Sequence, residues 1–262
     1  MSFVVVRALG LVTIQDLGRP GRMHEAVPPG GALVRDRLIA ANRAARNPDD
    51  APAIEVLGRL VIRAERALVV ATDTTAGRRV PAGGELTVTS EPRRVAYLAV
   101  RGGIASPLVL GGRGALLCAG LGGLVRAGQR FDSAELAEAA ATSPPSERPE
   151  EPIRLVAGPD PACFAPSALE ILTSAAYRIL PSSDRVGTRL DGPALPRTAA
   201  PEITRPMVIG AIEVPHDGAP IVLGPEHPTT GGYPIIAVVA HADLGRLFSI
   251  RLGGTVRFTR AS

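Results

Sequence analysis

Lysine is absent from this chain of 262 residues, in which all 29 basic side chains are arginine. A P-loop lysine, a Schiff-base lysine and a biotinyl-lysine attachment site are therefore excluded. Tryptophan is absent as well, and aromatic residues make up 3% of the chain. The arginines are dispersed and the net charge is only +4. With so few aromatic rings to stack on bases, the composition argues against nucleic-acid binding.

Cysteine is scarce too. Cys118 and Cys163 lie far apart and fit neither a disulfide framework nor the spacing of a zinc site. We expect both to be small, buried apolar side chains and expect no metal site. No apolar run reaches the ~18–20 residues that span a bilayer. The N-terminal stretch also lacks the basic segment and cleavage site of a signal peptide, so we expect a cytoplasmic protein without membrane association.

A segment with four prolines and alternating charge, residues 141–152, predicts a solvated linker. It divides the chain into an N-terminal half, residues 1–140, and a C-terminal half, residues 153–262. The hydrophobic content of 45% with 21% charged residues is that of an ordinary globular protein.

Both halves consist mostly of short apolar runs punctuated by glycine and proline, a pattern typical of β-barrels and sandwiches. Predicted strands near the N-terminus are Phe3–Val6, Leu11–Ile14, Ala53–Leu57 and Leu60–Arg63. Two helices are predicted, over residues 33–46 and 166–176. Short matches between the halves, such as GQRF (128–131) and GTVRF (254–258), favour two similar β-rich barrels over one continuous fold.

The most informative polar segment is the run Thr229, Thr230, Gly231, Gly232 and Tyr233, which stands between two prolines. Glycine lets a backbone approach a ligand closely, and proline fixes the backbone on either side. The run is interpreted either as a tight connection between two strands or as a binding loop; its spacing alone does not separate the two.

Three other polar clusters follow or precede predicted strands, where functional loops concentrate. In the first, Asp16 and Arg19 form either a turn ion pair or part of a site, and His24 is either structural or a proton carrier. In the second, two arginines grip a carboxylate or form a surface turn. In the third, an acid and a histidine precede the glycine-rich run. The last two clusters contain Arg185 with Arg189, and Glu213 with His216.

Five motifs in a fixed order carry a family resemblance: QDLGRPG (15–21), YLAVRGGI (97–104), SDRVGTRLDGPAL (183–195), GAIEVPHDGAPIVL (210–223) and TTGGYP (229–234). The chain resembles the biotin-dependent carboxyltransferase family, which includes the subunit-C protein of 5-oxoprolinase, the antagonist of the sporulation-kinase inhibitor and the allophanate-hydrolase-subunit-2-like part of urea carboxylase. The resemblance implies a mainly β fold of two tandem cyclophilin-like β-barrels with a few short helices.

The resemblance also implies a function. It predicts a subunit of an ATP-dependent complex that converts 5-oxoproline to glutamate, or a related carboxyltransferase acting on an amide or urea-like molecule. Subunit-A-like and subunit-B-like proteins are the expected partners. ATP is used by the complex, and any carboxybiotin is carried by another protein, since this chain has no lysine. The expected catalytic residues are His24, His216 and Tyr233, and the expected substrate-binding residues are Asp16, Arg19, Arg185, Arg189, Glu213, Thr229, Thr230, Gly231 and Gly232.

The chain departs from the family pattern at several positions. Val34 stands where family members usually have aspartate, Glu213 where glutamine is usual, and His227-Pro228 where Arg-Gln is frequent. These departures motivate a second hypothesis, that of a non-catalytic regulator that sequesters a subunit-B-like partner.

Overall fold

The computed structural model describes residues 2–140, 151–199 and 201–261. They form two compact units: residues 2–20 and 30–140 make up the first, and the remaining described residues make up the second. Of the predicted linker, residues 141–150 lie outside the described part, and Glu151 and Pro152 have no regular secondary structure.

The first unit is an antiparallel sheet with one helix, α1 (Arg35–Ala44). Hydrogen-bonded neighbours follow the order β4-β3-β6-β2-β1-β7, and β5 pairs with β2 as well. The strands are β1 (Ser2–Gln15), β2 (Ala53–Ala64), β3 (Leu68–Thr72), β4 (Thr75–Val80), β5 (Glu85–Thr89), β6 (Ala96–Val100) and β7 (Arg130–Asp132).

Strands β1 and β2 are each continuous, although the sequence predicts each as two shorter strands. Gly10 and Gly58, which suggest strand ends in the sequence, lie directly opposite one another in the pairing. A Cβ atom at Gly10 would lie 2.2 Å from the carbonyl oxygen of Leu57. Glycine here permits a close approach of two backbones in mid-strand, so both strands pass through the apparent break.

The second unit is a closed barrel in the order β10-β13-β12-β15-β8-β16-β9, with the two-stranded ribbon β11-β14 outside it. Its buried side includes Tyr177, Ile179, Ile212, Val222 and Phe258. The elements are β8 (Ile153–Ala157), α2 (Ala168–Ser174), β9 (Ala176–Ile179), β10 (Gly187–Asp191), β11 (Arg205–Pro206), β12 (Ala211–Glu213), β13 (Ile221–Leu223), β14 (Thr230–Gly231), β15 (Ile235–Val239), α3 (Leu244–Ser249) and β16 (Thr255–Arg260).

The predicted fold class, mainly β with a few short helices, is confirmed. The second half is a closed barrel as expected, whereas the first unit is a sheet whose hydrogen bonding leaves β4 and β7 at its edges within the described residues. The predicted helices correspond to α1 and α2, and α3 was not predicted. No described helix is long and apolar enough to cross a membrane.

The expectation for the two cysteines holds for one of them. Cys163 is buried, but Cys118 is exposed. Cys118 lies in the short 3₁₀ helix Leu117–Ala119, none of whose residues is buried. The expectation rested on the general tendency of free cysteine to be buried, and it fails for Cys118 because this residue lies in an exposed connecting segment.

Candidate functional site

The glycine-rich run belongs to a ribbon outside the barrel rather than to a simple turn. Pairing joins Pro206 to Thr230 and Arg205 to Gly231, and the Met207 amide donates to the Thr229 carbonyl at 3.1 Å. A Cβ atom at Gly231 would lie 2.3 Å from Met207 Cε, so a glycine lets the ribbon lie against that side chain. The run therefore has a defined backbone that leads directly into barrel strand β15.

Tyr233 and His216 lie side by side at the end of this ribbon. Their ring centroids are 6.3 Å apart with an interplanar angle of 85°, an edge-to-face arrangement. The Val214 amide donates to the Pro234 carbonyl at 3.0 Å, which joins the two chain segments. Tyr233 is 41% exposed, so the pair is open to solvent and to a ligand. Two of the three residues predicted to be catalytic are thus brought together.

Arg197 and Glu202 complete this cluster, and sequence reasoning missed both. Arg197 Nη1 lies 3.4 Å from His216 Nδ1 and donates to the Val214 carbonyl at 3.2 Å. Its Nη2 donates to Glu202 Oε1, which is 3.7 Å from His216 Nε2. No local sequence signal connects these residues, because they come together only through the loops around the barrel.

The contacts of His216 favour one tautomer of the neutral ring. Arg197 has only donors, so Nδ1 accepts and the ring hydrogen lies on Nε2, toward Glu202. Histidine side chains commonly serve as general acids and bases in enzymes. The neighbouring phenol of Tyr233 supplies a hydrogen-bond donor. The structure thus places an imidazole and a phenol side by side on an exposed surface.

Glu213 and Arg189 lie beside the cluster on the outer face of the barrel. Both pair with Ile221 in adjacent strands, so their side chains flank it on one face. Burial raises the pKa of the Glu213 carboxyl, and the positive charge of Arg189 opposes that rise. Glu213 also pairs with Ile235, which places its strand next to the end of the glycine-rich run.

A second carboxylate fixes the ribbon to the barrel. Asp160 Oδ2 accepts from the Ile235 amide at 2.9 Å, and Asp160 Oδ1 accepts from Arg205 Nη2. Asp160 is 9% exposed. One buried carboxylate thus connects strand β11 of the ribbon to the first residue of β15, and it holds Thr229–Gly232 in place.

Arg185 and Arg189 do not form the exposed clamp suggested by their spacing. The Arg185 side chain is only 3% exposed, and its Nε donates to Glu226 Oε1 at 2.7 Å. Arg189 is exposed on β10. The nearby His227 is fully buried, and burial lowers its pKa, while its Nδ1 lies 2.7 Å from the Pro228 carbonyl. The neutral ring therefore donates from Nδ1.

Asp16 and Arg19 lie in the first unit, where their side chains bind backbone groups. Asp16 accepts from the amides of Gly18 at 2.8 Å and Arg113 at 2.5 Å. Arg19 donates to three carbonyls instead of to Asp16, so the turn ion pair, one of the two alternatives for these residues, does not form. His24 is largely exposed in the 3₁₀ helix Met23–Glu25, with Nε2 3.4 Å from Glu25 Oε1.

Metal-ligating side chains do not converge in the described part of the chain: no group of three or more His, Cys, Asp or Glu residues there could hold an ion.

Comparison with known proteins gives consistent matches. The protein-family model described as carboxyltransferase domain, subdomain A and B, matches residues 25–260 of this chain. The 5-oxoprolinase subunit-C protein of Escherichia coli (strain K12) is 33% identical over 98% of this chain and 91% of its own length. The urea amidolyase of Lachancea kluyveri is 27% identical over 100% of this chain and 17% of its own length.

A solved structure agrees with these sequence matches. The crystal structure of TTHA0988 superposes with a TM-score of 0.87 and 28% identity, covering 98% of this chain and 55% of that one. The five ordered motifs, the barrel with its ribbon and the match over nearly the whole chain lead to one conclusion. The chain belongs to the carboxyltransferase family with subdomains A and B.

Proposed function

We propose that this chain is the subunit-C-like component of a cytoplasmic, ATP-dependent 5-oxoprolinase-type complex that converts 5-oxoproline to glutamate. The observation that carries the proposal is the match to the E. coli subunit-C protein, at 33% identity over 98% of this chain and 91% of that protein. The name of that relative indicates a multi-subunit enzyme, so we propose subunit-A-like and subunit-B-like proteins as the partners.

The cluster around Tyr233 suits the chemistry of a cyclic amide. In an amide or urea the nitrogen lone pair is delocalised into the carbonyl, so the carbonyl is a poor electrophile and the nitrogen a poor nucleophile. Attack of water on the carbonyl, or loss of a proton from the nitrogen, places negative charge on the carbonyl oxygen. A donor aimed at the developing negative oxygen stabilises that charge. In the proposal the Tyr233 hydroxyl is that donor, His216 transfers a proton, and the arginines at 197 and 189 attract the anionic substrate.

The proposal assigns the cofactors to the complex rather than to this chain. ATP is consumed by the assembled enzyme. If the reaction is instead a carboxyl transfer to an amide or urea, carboxybiotin is carried by another protein, because this chain has no lysine for biotin attachment.

The test is reconstitution of glutamate formation from 5-oxoproline and ATP with purified subunit-A-like and subunit-B-like proteins. We expect Tyr233→Phe and His216→Gln to lower kcat at least about a hundredfold, the lower end of the range for loss of an oxyanion donor or acid–base group. Leu252→Ala, at an exposed site of the same unit, serves as the control. Wild-type protein that forms no glutamate in the complex would overturn the substrate assignment. An unchanged rate in both site variants would overturn the assigned residues.

A second candidate function, sequestration of a subunit-B-like partner without catalysis, is favoured by one observation. His227, which stands just before the glycine-rich run where family members frequently have arginine, is fully buried, so it presents no exposed side chain there. Tight association with the subunit-B-like protein, combined with no turnover of 5-oxoproline or urea in the complete mixture, would support this function over the first.

A further inference from the structure

The turn Leu108–Leu110 in the first unit exposes three consecutive large apolar side chains. Leu108 is 62% exposed, Val109 37% and Leu110 41%. Single exposed apolar residues are common on protein surfaces, but contiguous ones mark interaction sites. The position of this turn is therefore a candidate for contact with another molecule.

The fold holds this exposed turn firmly. Val109 and Gly112 exchange backbone hydrogen bonds of 2.8 and 3.1 Å. Arg19, 2% exposed, donates Nε to the Val109 carbonyl at 3.0 Å and Nη2 to the carbonyls of Gly112 and Gly114 at 3.3 and 2.9 Å. Leu110 has φ +53°, which is unfavourable for a side chain of this size. A buried cation thus stabilises a strained, solvent-exposed apolar turn.

Strain that the surroundings maintain is characteristic of functional segments. A turn needed only to connect Pro107 with Arg113 would place polar residues or glycine at the left-handed position. Here Leu110 occupies it, so the conformation serves to present side chains outward in a fixed arrangement. Such preorganisation lowers the entropy cost of binding a partner.

A cleft of about 220 Å³ lies at the base of the same turn. Its walls are mainly apolar and include Ile14, Ala115, Val125 and Phe131. The volume is below the ~300–1,000 Å³ of sites for small-molecule ligands and is of the size of one large side chain. The cleft is therefore suited to an anchoring side chain from a protein.

The rim of the cleft is positive. Arg113 lines it, is exposed, and donates Nη1 to the Ser106 carbonyl; neither it nor the exposed Arg126 forms an ion pair with any described residue. Asp132 follows Phe131 in β7, so its side chain points to the opposite face of the sheet from the phenylalanine. A partner that brings a carboxylate to this rim would neutralise an uncompensated charge.

We propose that the Leu108–Leu110 turn and this cleft form one docking surface for the second protein of the complex, the subunit-B-like partner. That partner inserts an apolar side chain into the cleft and pairs a neighbouring carboxylate with Arg113. The inference rests on the proposed function for the existence of a partner. A second copy of this chain fits less well, because it would bring its own arginine-bearing rim against this one.

The test measures binding of the purified subunit-B-like protein by titration calorimetry. Leu110→Asp removes an apolar contact, and aspartate adopts the left-handed conformation more readily than leucine, so the fold is retained. Arg113→Glu reverses the rim charge. We expect each to weaken binding at least about tenfold, as for residues central to an interface. The control, Leu252→Asp, changes a leucine with the same exposure of 41% in the other unit and is expected to bind as wild type does.

The inference is overturned if wild-type protein does not bind the subunit-B-like protein, or if both variants bind it as tightly as the control does. It is also overturned if wild-type protein forms a dimer by sedimentation that Leu110→Asp dissociates, since the surface then serves a second copy. Glutamate formation is assayed separately. If the two variants bind more weakly but the complex forms no glutamate, the docking surface is supported and the substrate assignment is overturned. If the variants bind as tightly as the control and the complex forms glutamate, only the docking surface is overturned.

Discussion

Arg185 and Glu226 form a buried ion pair in the barrel unit, with Nε 2.7 Å from Oε1 and side chains only 3% and 4% exposed. The pair joins the turn before β10 to the segment that leads into the glycine-rich run. The Glu226 amide also donates to the Arg185 carbonyl at 3.1 Å. An arginine in a family motif is thus positioned to hold the base of the candidate site.

Replacing one partner of this pair is expected to destabilise the fold strongly. Glu226→Gln leaves the buried guanidinium without its compensating charge, which costs about 3–5 kcal/mol in comparable pairs. Urea denaturation of wild type and variant at pH 7 gives the difference in unfolding free energy. The double variant Arg185→Met with Glu226→Leu is expected to recover part of the loss, because apolar side chains replace buried ion pairs at little cost.

The exposed pair Arg178–Asp191 provides the matched comparison. Its Nη2–Oδ2 distance is 3.2 Å, and its side chains are 60% and 55% exposed. Asp191→Asn is expected to cost under about 1 kcal/mol, since solvent screens such pairs. Equal losses for Asp191→Asn and Glu226→Gln would contradict a stabilising role specific to the buried pair.

Asp243 predicts a loss of stability in acid. Hydrogen bonds from the Arg154 side chain lower the pKa of its carboxyl from the ordinary 3.8 to about 2. Because the folded-state pKa is the lower one, this contribution is complete above about pH 4 and disappears as the pH falls toward 2. Arg154 is half exposed, so we expect about 1–2 kcal/mol rather than the full value.

Denaturation of wild type and Asp243→Asn at pH 7, 4 and 2.5 checks this expectation. The two curves of stability against pH should differ by about 1–2 kcal/mol at pH 7 and converge in acid, since protonation removes the same charge as the substitution. A constant difference across the range would mean that the side chain acts through packing instead of charge.

Much of the fold could be predicted because its signals are local. Short apolar runs between glycine and proline indicated the strands, and the helix predicted over residues 33–46 corresponds to α1. The continuity of β1 could not be predicted, because Gly10 resembles a strand end unless its partner Gly58 is known. Closure of the second unit depends on β16 pairing with both β8 and β9, and these two strands lie far from β16 in the sequence.

The candidate site likewise contains some residues that the local sequence indicated and others that it did not. The run through Tyr233 and the nearby His216 were visible as unusual local composition. Arg197 and Glu202 were not, because their contacts to His216 depend on how separate loops meet. Spacing suggested that Arg185 was a ligand-binding group, and only its burial against Glu226 shows a different use of its charge.

Two glycines near the site are expected to differ in their response to replacement by alanine. A Cβ atom at Gly224 would lie 2.3 Å from the Arg185 carbonyl oxygen, whereas at Gly232 the nearest atom, Thr204 Oγ1, is 3.9 Å away. We expect Gly224→Ala to lose about 1–3 kcal/mol through overpacking against backbone and Gly232→Ala to stay within about 0.5 kcal/mol of wild type.

Thermal unfolding compares the two variants, and activity in the reconstituted complex separates fold from site. Gly232→Ala is the sharper probe of the site, because its fold is expected to be intact. A fall in glutamate formation in that variant would locate a ligand contact at the ribbon, whereas a large loss of stability would refute the space assigned to position 232.

Glu213 predicts that a neutral side chain stabilises the barrel. Burial raises the pKa of its carboxyl, so the folded protein holds the proton more tightly than the unfolded chain does. The contribution of this one group to stability is therefore complete in acid and is lost as the pH rises through the raised folded-state pKa. Glu213→Gln removes the cost of the buried charge, and we expect a higher melting temperature than wild type at pH 7 and no gain at pH 4.

Arg189→Gln tests the same interaction by removing the positive charge, since the charge of Arg189 opposes the rise in the Glu213 pKa. We expect it to lower the melting temperature at pH 7 in the wild-type background and to have little effect when Glu213 is already glutamine. A loss of equal size in both backgrounds would show that Arg189 stabilises the barrel independently of Glu213. The coupling between the two substitutions therefore measures the interaction that connects this carboxylate to the positive charge beside the site.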